Sequence, residues 1–137
     1  MKIKDHLAYL IASVNKQLED ELQDRLRAEG MPIEHLRILE VLAAGDGLPM
    51  GELANGALVE PTTLTKIIDR MVADGLVVRL LDAQDRRRVL VALAPAGKVV
   101  SRRLSRIMTS QETRIKKRVP KAKLGELRML LRGLAEG

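Results

Sequence analysis

The chain has 137 residues, a net charge of +6, 46% hydrophobic residues and no Cys, Trp or Phe. This length predicts one compact domain over residues 1–137. The absence of cysteine excludes disulfides, zinc–thiolate sites and thiol-based redox sensors.

Charge is unevenly distributed along the chain. Residues 1–60 contain 6 Lys and Arg against 11 Asp and Glu, whereas residues 61–137 contain 18 against 7. This asymmetry favours a polyanionic partner for the C-terminal half, with a solvated basic surface as the alternative. No segment approaches the ~20 apolar residues of a membrane-spanning helix, and no signal peptide is recognised. A cytoplasmic protein without a membrane partner is therefore expected.

Apolar residues recur at helical spacing from Asp5 to Glu29, and Gly30 follows them. The pattern predicts a long helix over about residues 5–29 that ends at this glycine. Its apolar stripe is suited to contact with another subunit, with packing inside the chain's own core as the alternative. The stripe consists of Leu7, Leu10, Ile11, Val14, Leu18, Leu22 and Leu26.

Two further helices are predicted before the middle of the chain. Pro32 opens the first of them, and the run Gly45-Asp46-Gly47 ends it. A weak helix of two turns fits residues 50–58. Pro61 then suits the first position of the next helix, because its missing N–H costs nothing there.

The helix that begins at Pro61 has the cleanest periodicity in the chain. Its apolar stripe contains Leu64, Ile67, Ile68, Met71 and Val72. The opposite side carries polar residues, and two more threonines flank the stripe. These polar residues are Thr62, Lys66, Asp69 and Arg70 on the opposite side, and Thr63 and Thr65 beside the stripe. Gly75 ends this helix.

A two-stranded hairpin is predicted over residues 75–79 and 89–93, with a basic tip. The polyanion considered for this tip is DNA. Because successive strand side chains point to opposite faces, at most two of Arg86, Arg87 and Arg88 can face DNA together. Arg87 is expected to enter a narrow A·T-rich minor groove. The alternative is a charged tip that only blunts strand pairing. Asp85 is expected to hold an arginine in place, and Asp69 to do the same for an arginine of the hairpin.

Helix, short helix, helix with a polar outer face and β-hairpin is the order of elements in a winged helix-turn-helix. The fold class is therefore predicted as mostly α with a small β-hairpin wing. The recognition helix of such a unit lies in the major groove of double-stranded DNA. There Thr62, Thr63 and Thr65 can bond to bases or phosphates, and Lys66 and Arg70 can neutralise phosphates or read guanine. The alternative is that these side chains only cover a surface helix.

Two helices are predicted after the hairpin. The first begins at Pro95 and runs to about Val119, where Pro120 breaks it. The second carries a final stripe of leucines: Leu124, Leu127, Leu130, Leu131 and Leu134. The basic residues between Arg114 and Lys123 are interpreted as a solvated face rather than a DNA contact.

Four segments of the chain carry a family resemblance: Asp69-Arg70-Met71, Gly75-Leu76-Val77-Val78-Arg79, Asp85-Arg86-Arg87-Arg88 and Leu93-Ala94-Pro95-Ala96-Gly97. Together they resemble the MarR family of winged-helix regulators. The similarity covers essentially the whole chain. Two positions depart from the family pattern. Ala94 replaces the usual Thr, which removes a helix N-cap, and Met50 replaces a Ser or Thr that would contact phosphate.

The resemblance implies a homodimer built from the terminal helices, about residues 5–29 and 96–137, around a winged unit over about residues 32–95. It also implies a near-palindromic operator and, in many members, release by a small aromatic or anionic ligand. The leucine stripes fit such a dimer independently. The residues expected at its interface are Leu7, Leu10, Ile11, Val14, Leu124, Leu127, Leu131 and Leu134. A ligand pocket between the first two helices and the winged unit would involve Tyr9, His35 or Arg37.

No catalytic constellation, phosphate-binding loop or metal-ligand spacing is present in the sequence. The two histidines, His6 and His35, are not spaced as a zinc pair. The prediction is a transcriptional regulator, specifically a repressor, with no enzymatic activity, metal or cofactor. The alternatives are a protein-interaction adaptor and an unselective architectural DNA-binding protein.

Overall fold

The computed structural model describes residues 1–45 and 47–137, which form six α-helices and one three-stranded antiparallel sheet. The helices are α1 (Leu7–Arg27), α2 (Ile33–Ala43), α3 (Met50–Ala57), α4 (Pro61–Ala73), α5 (Pro95–Arg118) and α6 (Leu124–Glu136). The strands are β1 (Leu48–Pro49), β2 (Val77–Leu81) and β3 (Val89–Leu93). Short 3-10 turns precede α1 and α6. The predicted stop after α2 includes Asp46, which lies outside the described residues.

Helix ends follow the local signals in the sequence. Gly30 and Gly75 adopt left-handed φ angles of 65° and 74°, directly after α1 and α4. A residue without Cβ occupies that region without steric cost, so these glycines end helices efficiently. Pro61 occupies the first turn of α4, and α5 ends two residues before Pro120. The predicted bounds of these helices are therefore confirmed to within a few residues.

The core lies where α2, α3 and α4 meet the sheet and parts of α1 and α5. It is entirely aliphatic apart from Met71, as the near absence of aromatic residues requires. Removing such side chains from water is the main favourable contribution to folding, at about 25 cal/mol per Å². The largest fully buried side chains are Leu26, Leu36, Ile38, Leu39, Leu42, Leu53, Leu64, Ile68, Met71, Val77, Val91 and Leu104.

The apolar stripe of α1 is divided between two environments. Leu22 and Leu26, near the C-terminal end of the helix, are buried in the core of the same chain. In the first two turns, Leu7, Leu10 and Val14 are exposed. The prediction of one stripe for subunit contact is therefore corrected for the C-terminal end of α1, because that end packs against α2 and α5.

The sheet has the strand order β1-β3-β2, so the predicted hairpin gains a third strand. Strands β2 and β3 pair from Val77 with Leu93 to Leu81 with Val89. Strand β1 has only two residues, and Leu48 pairs with Val91. Strand β1 was not predicted, because two residues show no periodicity and Pro49 argues against a strand. As an edge residue, this proline does not interrupt the ladder.

Helix α5 begins very close to the start of β2. The N–H of Ala94 donates to the carbonyl oxygen of Leu76 at 2.9 Å. A Cβ atom built on Gly97 would lie 1.9 Å from that same oxygen. Glycine is thus required at position 97 by the approach of two backbones. Ala94 provides no side-chain cap to α5, as its replacement of Thr predicts.

None of the described helices is both long enough and apolar enough to cross a membrane.

Candidate nucleic-acid interface

Helix α4 separates an apolar inner face from a polar outer face. Leu64, Ile68 and Met71 are fully buried. The six polar residues of the predicted outer surface are all exposed. They are Thr62, Thr63, Thr65, Lys66, Asp69 and Arg70. The separation arises because each helical residue is rotated about 100° from the last, which keeps the two sets on different sides.

Two polar side chains of α4 already have partners within the helix. The hydroxyl of Thr65 donates to the carbonyl oxygen of Pro61 at 3.2 Å, so only its lone pairs are available to a ligand. Arg70 Nε lies 3.5 Å from Asp74 Oδ2. Both partners of this ion pair are exposed, so it stabilises the fold little and can be exchanged for a phosphate.

The tip of the wing is a tight turn at Asp85–Arg88. The N–H of Arg88 donates to the carbonyl oxygen of Asp85 at 2.9 Å, and the N–H of Arg87 donates to Asp85 Oδ1 at 3.1 Å. Asp85 thereby closes the turn with both its main chain and its side chain. The prediction that Arg86, Arg87 and Arg88 alternate as strand residues is wrong, because the ladder ends at Leu81 and Val89.

The arginines of the tip have different surroundings. The side chain of Arg87 is 94% exposed, and its Nε lies 3.4 Å from Asp85 Oδ1. Asp85 therefore contacts an arginine as predicted. Arg88 instead lies between two carboxylates, with Asp82 and Glu52 oxygens each 4.0 Å from its guanidinium nitrogens. Since Glu52 belongs to α3, Arg88 links the base of the tip to that helix.

An ion pair joins α4 to the wing. The carboxylate of Asp69 contacts the guanidinium of Arg79 on β2. The structure thus places Asp69 against an arginine of the hairpin. The sequence contains a signal that this arginine is Arg79. Arg79 is two residues after the buried Val77, and alternate strand residues share a face, so both point to the α4 side.

The three side chains predicted for a ligand pocket lie apart. His35 is half-buried on α2. Burial lowers its pKa, an effect that nearby Glu34 and Asp74 oppose and Arg70 reinforces. Arg37 pairs with Glu19 of α1 at 3.1 Å. Tyr9 precedes Glu19 by ten residues, about 15 Å along a helix. This placement argues against one pocket that uses all three. Among the described residues, no cluster of three or more His, Asp or Glu could hold a metal ion.

The predicted interface residues form an exposed apolar surface on α1 and α6. Leu7 is 73% exposed and Leu134 is 64% exposed. Between the two helices is a groove of about 550 Å³ whose lining includes Leu10, Val14 and Leu131. The structure thus brings residues from the two ends of the chain together. The remaining predicted residues are Ile11, which is exposed and also lines the groove, Leu127, which is half-buried and lines it, and Leu124, which is half-buried.

Comparison with known proteins identifies relatives of this chain. A profile described as "MarR family" matches residues 29–88. The transcriptional regulator FarR of Neisseria gonorrhoeae is 32% identical over 100 residues, which are 73% of this chain and 68% of FarR. A MarR family regulator from Silicibacter pomeroyi DSS-3 has a crystal structure with 30% identity, a TM-score of 0.84 and 98% coverage of both chains. A second one from Silicibacter pomeroyi has 33% identity, a TM-score of 0.82 and coverage of 98% and 92%.

Proposed function

Because this chain belongs to the MarR family of transcriptional regulators, we propose that it is a homodimeric repressor that binds a near-palindromic DNA operator. Residues 1–137 would form a single domain. A winged helix-turn-helix over about residues 32–95 would read DNA, and the helices on either side of it would hold the dimer together. Repression would follow when the operator overlaps a promoter, since the bound dimer then excludes polymerase.

The observation that carries this proposal is the link between α4 and the wing. An ion pair between Asp69 and Arg79 ties the exposed polar face of α4 to β2, the strand that leads to the arginine tip. The major groove of DNA is wide enough to admit an α-helix, whose threonine and arginine side chains can contact base edges and phosphates there. The wing would then reach the neighbouring minor groove. Arg87, whose side chain is almost fully exposed, would enter where a narrow groove concentrates negative potential.

The other DNA contacts follow from the same placement. Thr62, Thr63 and Thr65 on the first turns of α4 would contact bases or phosphates, with Lys66 and Arg70 on phosphates or guanine. Arg86 would accompany Arg87 at the tip. Arg88 lies between Glu52 and Asp82, so we assign it a smaller direct contribution than the other two arginines.

The homodimer is supported by the exposed leucines of α1 and α6. Exposed apolar surfaces of this kind mark sites of association on soluble proteins. Two-fold symmetry would place the two α4 helices about one turn of DNA apart, roughly 34 Å. A small aromatic or anionic effector would act by stabilising a dimer in which this spacing is wrong, and so would release the operator.

Footprinting on the DNA upstream of the chain's own gene tests the proposal. A specific repressor protects one discrete, near-palindromic segment. Diffuse protection would instead support an unselective architectural protein, and no protection would support a protein-interaction adaptor. The adaptor is disfavoured by the outer face of α4, which is polar throughout, whereas protein interfaces have an apolar centre.

Substitution of Arg87 tests the wing. We expect Arg87→Ala to weaken operator binding at least about tenfold, since a charge-assisted contact contributes about 1.5–3 kcal/mol. Dimerisation and thermal stability should hardly change, because the side chain is almost fully exposed. Arg132→Ala on α6 is the matched control, as it removes an exposed arginine far from the winged unit. Fluorescence anisotropy at several salt concentrations measures both. Wild-type affinity for Arg87→Ala would remove the wing from the mechanism.

A further inference from the structure

A second groove lies beneath the wing, on the face of the sheet that α4 does not cover. Its volume is about 480 Å³, within the range of about 300–1,000 Å³ typical of small-molecule sites. Val78 and Leu80 of β2 form one wall. They alternate with Arg79, which points to α4, so they face the opposite side of the sheet. Ala92 and Leu93 of β3 also line the groove, and the buried Leu42 of α2 lies at its base.

Helix α5 supplies the polar side of this groove. Lys98 and Arg102 are one helical turn apart, and both are exposed and line the groove. Residues four apart on a helix lie on the same face, so the two cations can act on one bound group. Ser101, which is only 4% exposed, lies between them in sequence and also lines the groove. An aliphatic wall therefore faces a pair of cations across one cavity.

This composition selects a ligand by its chemistry. The cations favour a carboxylate or another small anion, and a guanidinium can hold such a group through two hydrogen bonds. The described lining contains no aromatic side chain, so an aliphatic body fits it better than a ring that would require stacking. A ligand with both parts would gain from apolar burial and from charge pairing at the same time.

We propose that the groove beneath the wing is a binding site for a small aliphatic anion, with its anionic group on Lys98 and Arg102 and its apolar body against Val78 and Leu80. This site is separate from the positions of Tyr9, His35 and Arg37, and from the groove between α1 and α6. The role of this site in releasing DNA rests on the proposed function. Binding of the anion to the site does not rest on it, because that binding is measured without DNA.

Titration with octanoate followed by NMR tests the site, with octanamide as the neutral probe of the same length. We expect octanoate to shift the amide signals of Val78, Leu80 and Ser101, and to bind about tenfold more tightly than octanamide. Arg102→Gln should weaken octanoate binding about tenfold. Arg106→Gln is the matched control, since Arg106 is exposed one turn further along α5 and does not line the groove.

Three results would overturn the proposal. Equal binding of octanoate and octanamide would show that the cations do not recognise the anion. Equal loss in Arg102→Gln and Arg106→Gln would indicate general attraction to a basic surface. Signal shifts at Leu10 and Leu131 would place the probe between α1 and α6. None of these results bears on operator binding, and failure to bind an operator would leave the titration unaffected.

Discussion

The winged unit and the terminal helices use the same amphipathic pattern in opposite ways. In the winged unit, leucines and isoleucines at helical spacing, such as Leu36, Leu64 and Ile68, are fully buried within the chain. On α1 and α6, residues of the same type and spacing, such as Leu7 and Leu134, remain mostly exposed. Periodicity therefore identifies the apolar face of a helix, but not what covers that face. The apolar faces of the winged unit are covered within the chain, whereas those at the start of α1 and on α6 remain exposed.

Polar contacts join α1 to α5 within the terminal helices. Gln111 is buried, and its side-chain amide donates to the carbonyl oxygen of Leu18 at 2.9 Å. Arg114 contacts Glu21, and Arg25 lies 3.1 Å from the hydroxyl of Ser110. Arg114 is therefore an exception to the prediction that the C-terminal basic residues are a solvated face. Breaking the Gln111 bond would leave a buried amide without a partner, so this contact in particular resists separation of α1 from α5.

The largest expected effect comes from Gly97, where the winged unit meets α5. We expect Gly97→Ala to lower the free energy of unfolding by about 3 kcal/mol, because its Cβ would overlap the Leu76 carbonyl and two backbones would have to separate. Gly51→Ala is the control, since that helical glycine has open space around it and alanine favours helix by up to about 1 kcal/mol. Urea unfolding followed by circular dichroism measures both. Equal stability of the two variants would contradict the close approach.

The next largest effect tests whether the exposed leucines of α1 and α6 form the dimer interface. We expect the double variant Leu7→Lys and Leu134→Lys to raise the dimer dissociation constant about a hundredfold, since each leucine buried in an interface contributes about 1.5–3 kcal/mol. Folding of the protomer should be little affected, because both side chains are exposed in the single chain. Val99→Lys, an exposed valine of α5, is the control. Sedimentation equilibrium measures the dissociation constant. An unchanged value in the double variant would place the dimer interface elsewhere.

A smaller effect is expected at the link between α4 and the wing. We expect Asp69→Asn to reduce the ratio of operator affinity to random-duplex affinity about tenfold, as the wing loses its tie to α4 and the lost negative charge strengthens non-specific binding. Glu60→Gln is the control, since it removes an exposed charge at the start of the same helix and leaves the pair of Asp69 and Arg79 in place. Anisotropy titrations with both duplexes measure the ratio. If both variants had the same ratio of operator affinity to random-duplex affinity, the effect of Asp69→Asn would be explained by the lost charge alone.

The smallest effect concerns a partly buried carboxyl group in the winged unit. Glu40 on α2 has a buried oxygen without a hydrogen-bond partner among the described residues, and burial raises its pKa. A folded-state pKa above the unfolded value means that the contribution of Glu40 to stability is complete below the unfolded pKa. It is lost as pH rises through the folded pKa.

We therefore expect Glu40→Gln to be more stable than the wild type at pH 7, by less than about 1 kcal/mol, and equal to it below about pH 4. Glu34→Gln removes an exposed charge from the same helix and serves as the control. Thermal unfolding across this pH range is the measurement. A stability difference that is independent of pH would show that ionisation of Glu40 is not its cause.

Local signals in the sequence were sufficient for most of the fold. The bounds of α4 followed from Pro61, from one apolar stripe and from Gly75, each of which acts within a few residues of itself. The exposed polar face of α4 followed from the same periodicity. Asp69 could be assigned to an arginine of the wing by charge, but its partner required strand alternation to be applied to Arg79.

Contacts between elements that are distant in the chain were visible only in the tertiary structure. The pairing of Leu48 with Val91, the direction of Arg88 toward Glu52 and the requirement for Gly97 all join residues distant in the chain. No local pattern reports such contacts, because burial and ion pairing depend on which elements approach. The helices, their apolar faces and the basic half of the chain can therefore be read from local sequence patterns. Which of those faces are buried within the chain, and which remain exposed, depends on how the helices pack.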